Sequence, residues 1–144
     1  MIETPLHGAT AMQEMLLQSW NGRLRVFPAV PKAWPDVQFH QFRGEGAYLV
    51  SASREQGKTK WVSVEADAKS AKSSVEVDPK LANGQWAASQ GVTVTDDGKG
   101  IFTVKMSTGD RVIFWPAKEA QPKTVVRPVE PRGKQHRFGL PAND

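Results

Sequence analysis

The residues that most often perform enzyme chemistry are few and scattered in this sequence. Cysteine is absent, which excludes disulfide bonds and thiolate chemistry. The histidines His7, His40 and His136 do not have the spacing of a metal site, so no structural metal is predicted. No glycine-rich phosphate loop and no nucleophile–base motif occurs, and no cofactor is predicted. No two carboxylates form a convincing acid–base pair. The chain by itself therefore lacks a complete active site.

The elements that would position such residues begin with an amphipathic helix near the start of the chain. Apolar residues recur there at three- and four-residue steps, which places them on one face of a helix; they are Ala9, Met12, Met15 and Leu16. One side of this helix therefore needs a partner. A stripe of this kind that is left uncovered would favour self-association of the chain.

Local signals predict where this helix starts and stops. Thr10 followed three residues later by Gln13 has the form of a capping box, so the helix is expected to begin between Gly8 and Thr10. Asn21 and Gly22 tolerate positive φ just after the last apolar position, so the helix is expected to end there.

Short strands are predicted along most of the remaining sequence. Residues 23–27 alternate polar and apolar side chains before two prolines, Pro28 and Pro31, that cannot donate to a central ladder. Further strands are expected over 37–42, 47–53, 59–66, 75–77, 92–95, 101–106 and 111–115. Segments 96–100 and 107–110 contain Asp-Gly or Gly-Asp and suit tight hairpin turns. Short strands at this spacing predict an antiparallel β-sandwich.

The tryptophans are large enough to shape either a core or a binding surface. Trp61, Trp86 and Trp115 lie in or beside predicted strands and are expected to fill the gap between the sheets. Trp20 and Trp34 flank the helix-to-strand junction and are expected to pack on it. The alternative is an exposed row of aromatic rings, which would form a platform for sugars.

Length and composition are those of one globular domain with an appendage. The chain has 144 residues, of which 39% are hydrophobic and 24% charged. Its net charge of +4 arises mainly in the proline-rich segment 117–144, which is expected to be an extended, solvated tail, so no nucleic-acid partner is predicted. No apolar run is long enough to span a bilayer and no signal-peptide pattern is visible at Met1, so no membrane partner is expected.

The first third of the chain resembles glycoside hydrolase family 95, the α-L-fucosidase family. The resemblance lies in residues 14–19, Gly22, Leu24, the run from Phe27 to Pro31, Trp34, Phe39, Phe42, Arg43, Gly46 and residues 49–51. In that family these residues mark the passage from a helical catalytic barrel into a C-terminal β-sandwich. The resemblance therefore implies that the parent protein is an exo-acting, inverting glycosidase that is secreted or periplasmic; the compartment of this chain itself stays unknown.

The resemblance also implies roles for particular residues. Counting back from Glu14 places Glu3 at the position of the family's catalytic Asp, which polarises a water molecule. The glycine-rich run that follows this acid in the family is replaced here by residues 4–7, which departs from the α-L-fucose pattern. His7 and Trp34 are candidate substrate-binding residues. The proton donor and the remaining catalytic groups would lie in the upstream barrel.

These observations together predict a mainly β protein, an antiparallel β-sandwich preceded by one N-terminal α-helix and followed by a proline-rich extended C-terminal tail. The expected division is 1–21 for a loop and the last barrel helix, 22–116 for the sandwich and 117–144 for the tail. The expected function is that of an accessory sandwich that stabilises an upstream (α/α) barrel and helps to wall its cleft, with a glycan as substrate of the parent enzyme. The alternative is a stand-alone carbohydrate-binding or protein-interaction module.

Overall fold

The computed structural model of the chain describes residues 3–67, 74–79, 86–88 and 91–126. Within these residues the chain forms one helix and ten strands. Their bounds are α1 Glu3–Leu16, β1 Leu17–Trp20, β2 Arg23–Val26, β3 Val37–Gly44, β4 Tyr48–Glu55, β5 Lys58–Ala66, β6 Ser74–Asp78, β7 Trp86–Ala88, β8 Thr93–Asp96, β9 Phe102–Lys105 and β10 Arg111–Pro116.

The strands form two five-stranded sheets. The first sheet has the order β1-β2-β6-β9-β8 and the second has the order β3-β4-β5-β10-β7. Neighbouring strands are antiparallel except β2 and β6, which run parallel. The predicted fold class, a β-sandwich after an N-terminal helix, is confirmed.

The core lies between the two sheets. Alternation along each strand sends apolar side chains to the inner face, because successive residues of a strand point to opposite sides. The first sheet contributes Leu24, Val26, Val77 and Val104, and the second contributes Val50, Val62, Val64, Val112 and Phe114. The rings of Phe102 and Phe114 meet across the gap with centroids 5.0 Å apart. Burial in this core raises the pKa of the Tyr48 hydroxyl.

The helix begins earlier and ends earlier than its local signals predict. It starts at Glu3, with Pro5 in its first turn, where a missing N–H breaks no helical hydrogen bond. The Thr10 hydroxyl donates to the Leu6 carbonyl at 3.0 Å, a bond within the helix, so Thr10 is not the N-cap. The capping-box prediction is therefore wrong.

Asn21 and Gly22 form a hairpin turn and not a helix end. Asn21 has φ 55° and Gly22 has φ 72°, the pair of positive values that a two-residue type I′ turn requires. The turn pairs β1 with β2 antiparallel, so that Trp20 lies opposite Arg23. Leu17–Trp20 is consequently a strand, although its apolar spacing is also compatible with a helix.

Two further features of the sheets differ from the sequence-based predictions. Residues 107–110 connect β9 in the first sheet to β10 in the second, so this segment crosses between sheets instead of closing a hairpin. β7 lies outside the predicted strands and pairs with β10, with Ala87 opposite Trp115. By contrast, residues 96–100 do lead directly from β8 into its antiparallel neighbour β9, as predicted.

The described part of the predicted tail, residues 117–126, contains no strand and lies along the second sheet. The Trp115 indole N–H donates to the Glu119 carbonyl at 3.1 Å, and Arg111 donates to the Thr124 hydroxyl at 2.6 Å. Lys60 forms an ion pair with Glu119 at 3.3 Å. The remainder of the predicted tail, 127–144, lies outside the described residues.

Candidate functional site

The second sheet has a bulge in β3. The pairing with β4 shifts between Phe39 and Phe42, so that His40 and Gln41 together face Ser51. Gln41 has φ 53°, in the left-handed region that a residue other than glycine seldom occupies. Its N–H donates to the Ser51 hydroxyl at 2.9 Å, which anchors the bulge to β4.

A groove of about 550 Å³ lies between this bulge, β1 and the C-terminal half of α1. Its lining is mainly polar: it includes Gln13, Glu14, Ser19, Gln41, Arg43 and Glu45. An extra residue bends a strand and increases its twist, and residues 41–44, at and after the bulge, line the groove together with Gln13 and Glu14 of the helix. The groove thus combines groups from the continuous α1–β1 segment with groups from β3, which lies further along the chain.

Two charged residues of the groove, Arg43 and Glu45, are held by contacts with neighbouring residues. Arg43 Nη2 lies 2.7 Å from Asp67 Oδ2, and the Arg43 side chain is well exposed. The Glu45 carboxylate accepts from the Gly22 N–H at 3.5 Å, and the Glu45 N–H donates to the Ser19 hydroxyl. These hydrogen bonds connect Glu45 to β1 and to the β1–β2 turn. Such a groove can hydrogen-bond a polar ligand or a polar segment of a partner.

His40 and Ser51 have the residue types of a base and a nucleophile, with His40 Nδ1 3.2 Å from the Ser51 hydroxyl. Ser51 is buried, and its hydroxyl already accepts from Gln41. Among the described residues, no carboxylate is hydrogen-bonded to His40 to orient its ring. A nucleophile needs access to substrate and an oriented base, so this pair supports the bulge and is not a catalytic pair.

Among the described residues there is also no group of three His, Asp or Glu side chains able to hold a metal ion. In the same part of the chain, no helix combines the length and apolar content needed to cross a membrane.

The structure does not bring the predicted site residues together. Glu3 is the first residue of α1, and its side chain lies outside the described residues. It precedes Glu14 by eleven residues, which is about 16 Å along a helix, so it is far from the groove. His7 is exposed on the first half of α1. Trp34 is 37% exposed in the loop before β3, and that loop rests on the β4–β5 turn through a Gly57 N–H to Pro35 carbonyl bond of 2.8 Å.

Helix α1 projects from the sandwich. Residues 6–14 are all exposed, including Leu6 and Met12, which are 58% and 53% exposed. The predicted apolar stripe is thus covered only toward its end, where Met15 and Leu16 are half-buried. The helix is attached there by backbone bonds, since the carbonyls of Leu16 and Met15 accept from Phe27 and Ala29.

The tryptophans occupy positions that differ from those predicted. Trp61 and Trp115 are buried, but they alternate with core residues and so lie on the outer face of the second sheet, away from the gap. Trp20 was expected to pack on the helix junction and is instead 55% exposed. The side chain of Trp86 lies outside the described residues. The apolar spacing through residue 20 favours a helix, so the sequence does not predict that Trp20 is exposed. The Asn-Gly pair after Trp20 is the signal for the end of a strand.

The fold and the groove together define a small β-sandwich with a projecting N-terminal helix and a polar groove at the helix base. No protein-family model matches the chain, and no curated protein matches it either.

Proposed function

We propose that the chain is the C-terminal accessory β-sandwich of a family 95-like glycoside hydrolase, an exo-acting enzyme of the α-L-fucosidase type. In this proposal α1 is the last helix of the upstream (α/α) barrel. The sandwich stabilises that barrel, and the loop carrying Trp34 helps to wall the cleft that holds the glycan. Because β1 belongs to the first sheet, the division expected at residue 21 falls instead at the end of α1, at Leu16. The division at residue 116 belongs to the same proposal.

The observation that carries the proposal is the exposure of α1 over residues 6–14. An isolated helix of this length is marginal in water, because most helical stability in proteins comes from packing of an apolar face. Leu6 and Met12 have no cover from the sandwich. In the complete enzyme, neighbouring barrel helices would bury both side chains. This supports a helix that is joined to the sandwich and packs within the barrel.

The groove at the base of α1 supports the same arrangement. It opens beside the helix, and its polar lining includes Gln13 and Glu14 from the helix itself. A helix that packs into a barrel would bring a barrel loop over this groove, where the exposed Arg43 and the Glu14 carboxylate offer hydrogen bonds. The second sheet would then contact the barrel through the β3 bulge.

The resemblance gives Glu3 a catalytic role in the complete enzyme. At the start of the last barrel helix, a carboxylate can orient and polarise the attacking water, while a proton donor in the upstream barrel protonates the leaving oxygen. His7, one turn further along the same helix face, would lie within reach of a sugar hydroxyl. The chain by itself should therefore not hydrolyse glycosides.

The test compares this chain with a protein extended through its upstream reading frame, using an aryl α-L-fucoside and fucosylated oligosaccharides as substrates. The expected result is turnover by the extended protein alone, with Glu3→Gln lowering kcat at least about a hundredfold, as removal of a general acid or base commonly does. Glu14→Gln is the matched control on the same helix and should leave kcat within about threefold. Turnover by the short chain would contradict the proposal, as would full activity of the extended Glu3→Gln variant.

A further inference from the structure

The outer face of the first sheet carries an aromatic ring that is held in place. Trp20 is the last residue of the edge strand β1 and is 55% exposed. The guanidinium carbon of Arg25 lies 4.1 Å from the centroid of the Trp20 ring. This cation–π contact covers one face of the indole and orders the ring. Because Trp20 is still more than half exposed, we infer that the opposite face is open to a ligand. A ring that is already ordered loses little entropy when a ligand stacks on it.

Strand pairing places hydrogen-bonding side chains beside this ring. Trp20 lies opposite Arg23, which in turn lies opposite Glu76, and Arg25 lies opposite Asp78. Arg23, Arg25, Glu76 and Asp78 flank the buried Leu24, Val26 and Val77, so they lie on the outer face of the sheet. Trp20 shares this face because it lies opposite Arg23. We name this surface the Trp20 face; it consists of Trp20, Arg23, Arg25, Glu76 and Asp78.

The charges of the Trp20 face balance. Arg23 Nη2 lies 2.7 Å from Glu76 Oε2, and the two side chains are 33% and 44% exposed. Two guanidinium groups are matched by two carboxylates, so the surface offers donors and acceptors without a net positive field. A polyanion such as nucleic acid is not favoured by such a surface, because its binding depends on unbalanced Lys and Arg charge.

We propose that the Trp20 face binds a neutral saccharide. The C–H groups on one side of a pyranose ring form an apolar face that matches the open side of the Trp20 indole. The hydroxyls around that ring act as both donors and acceptors, which the Arg23–Glu76 pair and its neighbours complement. The proposal goes beyond the accessory role of the sandwich and does not depend on it, because every residue of the Trp20 face lies within this chain.

The test is a titration of this chain by isothermal calorimetry with fucosyllactose, cellohexaose and xylohexaose at millimolar concentrations. We expect saturable binding of at least one probe and a Kd raised at least about tenfold by Trp20→Ala, equivalent to about 1.4 kcal/mol. Trp20→Phe keeps an aromatic face and should restore part of the affinity. The exposed position of Trp20 predicts that these variants keep the far-ultraviolet circular dichroism and the urea-unfolding midpoint of the unmodified chain.

The control is Val125→Ala, because Val125 is also exposed, at 58%, but lies in the segment after β10, along the second sheet. Its Kd should stay within about twofold of the unmodified chain. Glu76→Gln should weaken binding without unfolding, which keeps the test valid if Trp20→Ala fails to fold. Absence of saturable binding by all three probes would overturn the proposal, and so would a loss of binding in Val125→Ala that Trp20→Ala does not show.

Discussion

The backbone N–H of Phe27 donates a hydrogen bond of 2.7 Å to the carbonyl of Leu16. The bond joins the residue after β2 to the last residue of α1, and it satisfies a carbonyl that the helix end leaves without an intrahelical partner. Phe27 makes it with φ 52°, while its buried ring contacts the Phe39 ring edge-to-face at 5.4 Å. The end of β2 therefore sets the direction in which α1 leaves the sandwich.

This geometry predicts an unusual order of stability among substitutions of Phe27. Phe27→Ala should lower the free energy of unfolding by about 3–5 kcal/mol, because it removes a buried ring. Phe27→Gly should be more stable than Phe27→Ala by about 1 kcal/mol, since glycine occupies the left-handed region without a steric penalty. Urea unfolding of both variants provides the measurement. An alanine variant more stable than the glycine variant would show that the positive φ is not kept.

Two serines on the same face of β4 should respond in opposite ways to truncation. Ser51→Ala removes the acceptor of the Gln41 N–H and should destabilise the fold by about 1 kcal/mol. The Ser53 hydroxyl is buried and has no hydrogen-bond partner among the described residues, so Ser53→Ala should be neutral or stabilising by up to about 1 kcal/mol. Each variant is the other's control in thermal and urea unfolding. Equal losses in both would indicate that the Ser53 hydroxyl has a partner in solution.

Two glycines form a second matched pair. A Cβ added at Gly44 would lie 2.6 Å from Leu24 Cδ2, so Gly44→Ala should lower the free energy of unfolding by about 1–3 kcal/mol. Gly8 lies in α1 with open space around it, so Gly8→Ala should favour the helix by about 1 kcal/mol. Urea unfolding tests the first variant and far-ultraviolet circular dichroism the second. An unchanged Gly44→Ala stability would mean that Leu24 moves aside without cost.

The exposed half of α1 should control association of the isolated chain. Leu6→Glu and Met12→Glu remove apolar surface that nothing in the described structure covers, so both should lower the weight-average mass measured by light scattering. Their melting temperatures should stay near that of the unmodified chain. Leu16→Glu is the contrasting variant, since Leu16 packs against the core and its replacement should destabilise the fold. A monomeric unmodified chain would contradict this prediction.

Asp97 should give the β8–β9 turn a dependence on pH. Its carboxylate accepts from the Lys99 and Ile101 N–H groups at 2.7 and 3.0 Å, and these backbone bonds lower its pKa below the ordinary 3.8. A lowered pKa means that the ionised form stabilises the fold above pH 3.8 and that this stability is lost as the pH falls through the folded-state pKa. Carboxyl titration by NMR measures the shift. The Asp97→Asn variant should not show the part of the acid-induced loss of stability that comes from protonating Asp97. An Asp97 pKa at or above 3.8 would contradict the lowered pKa.

Most strands could be predicted from the sequence because their signals are local. Alternation in Lys58–Ala66 and the turn residues Gln56 and Gly57 place β4 and β5 close to their observed bounds. Local signals are ambiguous at Leu17–Trp20, where apolar spacing fits both a helix and a strand. The connection 107–110 is also not determined locally, because a turn sequence does not state which sheet the next strand joins.

The groove could not be predicted for a different reason. Its residues come from α1, β1 and β3, and the bulge at Gln41 depends on a register shift that only pairing with β4 produces. The resemblance to a glycoside hydrolase family is the reason for predicting Glu3, His7 and Trp34 as site residues. That resemblance describes a complete enzyme. Within the described chain they are separated along the helix and across a loop.

The sequence by itself determined the β-rich class, the helix before it and the absence of thiol chemistry, since these follow from residue types and short-range periodicity. The tertiary structure decided which faces are covered. Trp61 and Trp20 both look like core residues in the sequence, yet the first is buried and the second is 55% exposed. The difference depends on position in the sheet, because an edge strand has a neighbour on one side and a central strand has neighbours on both.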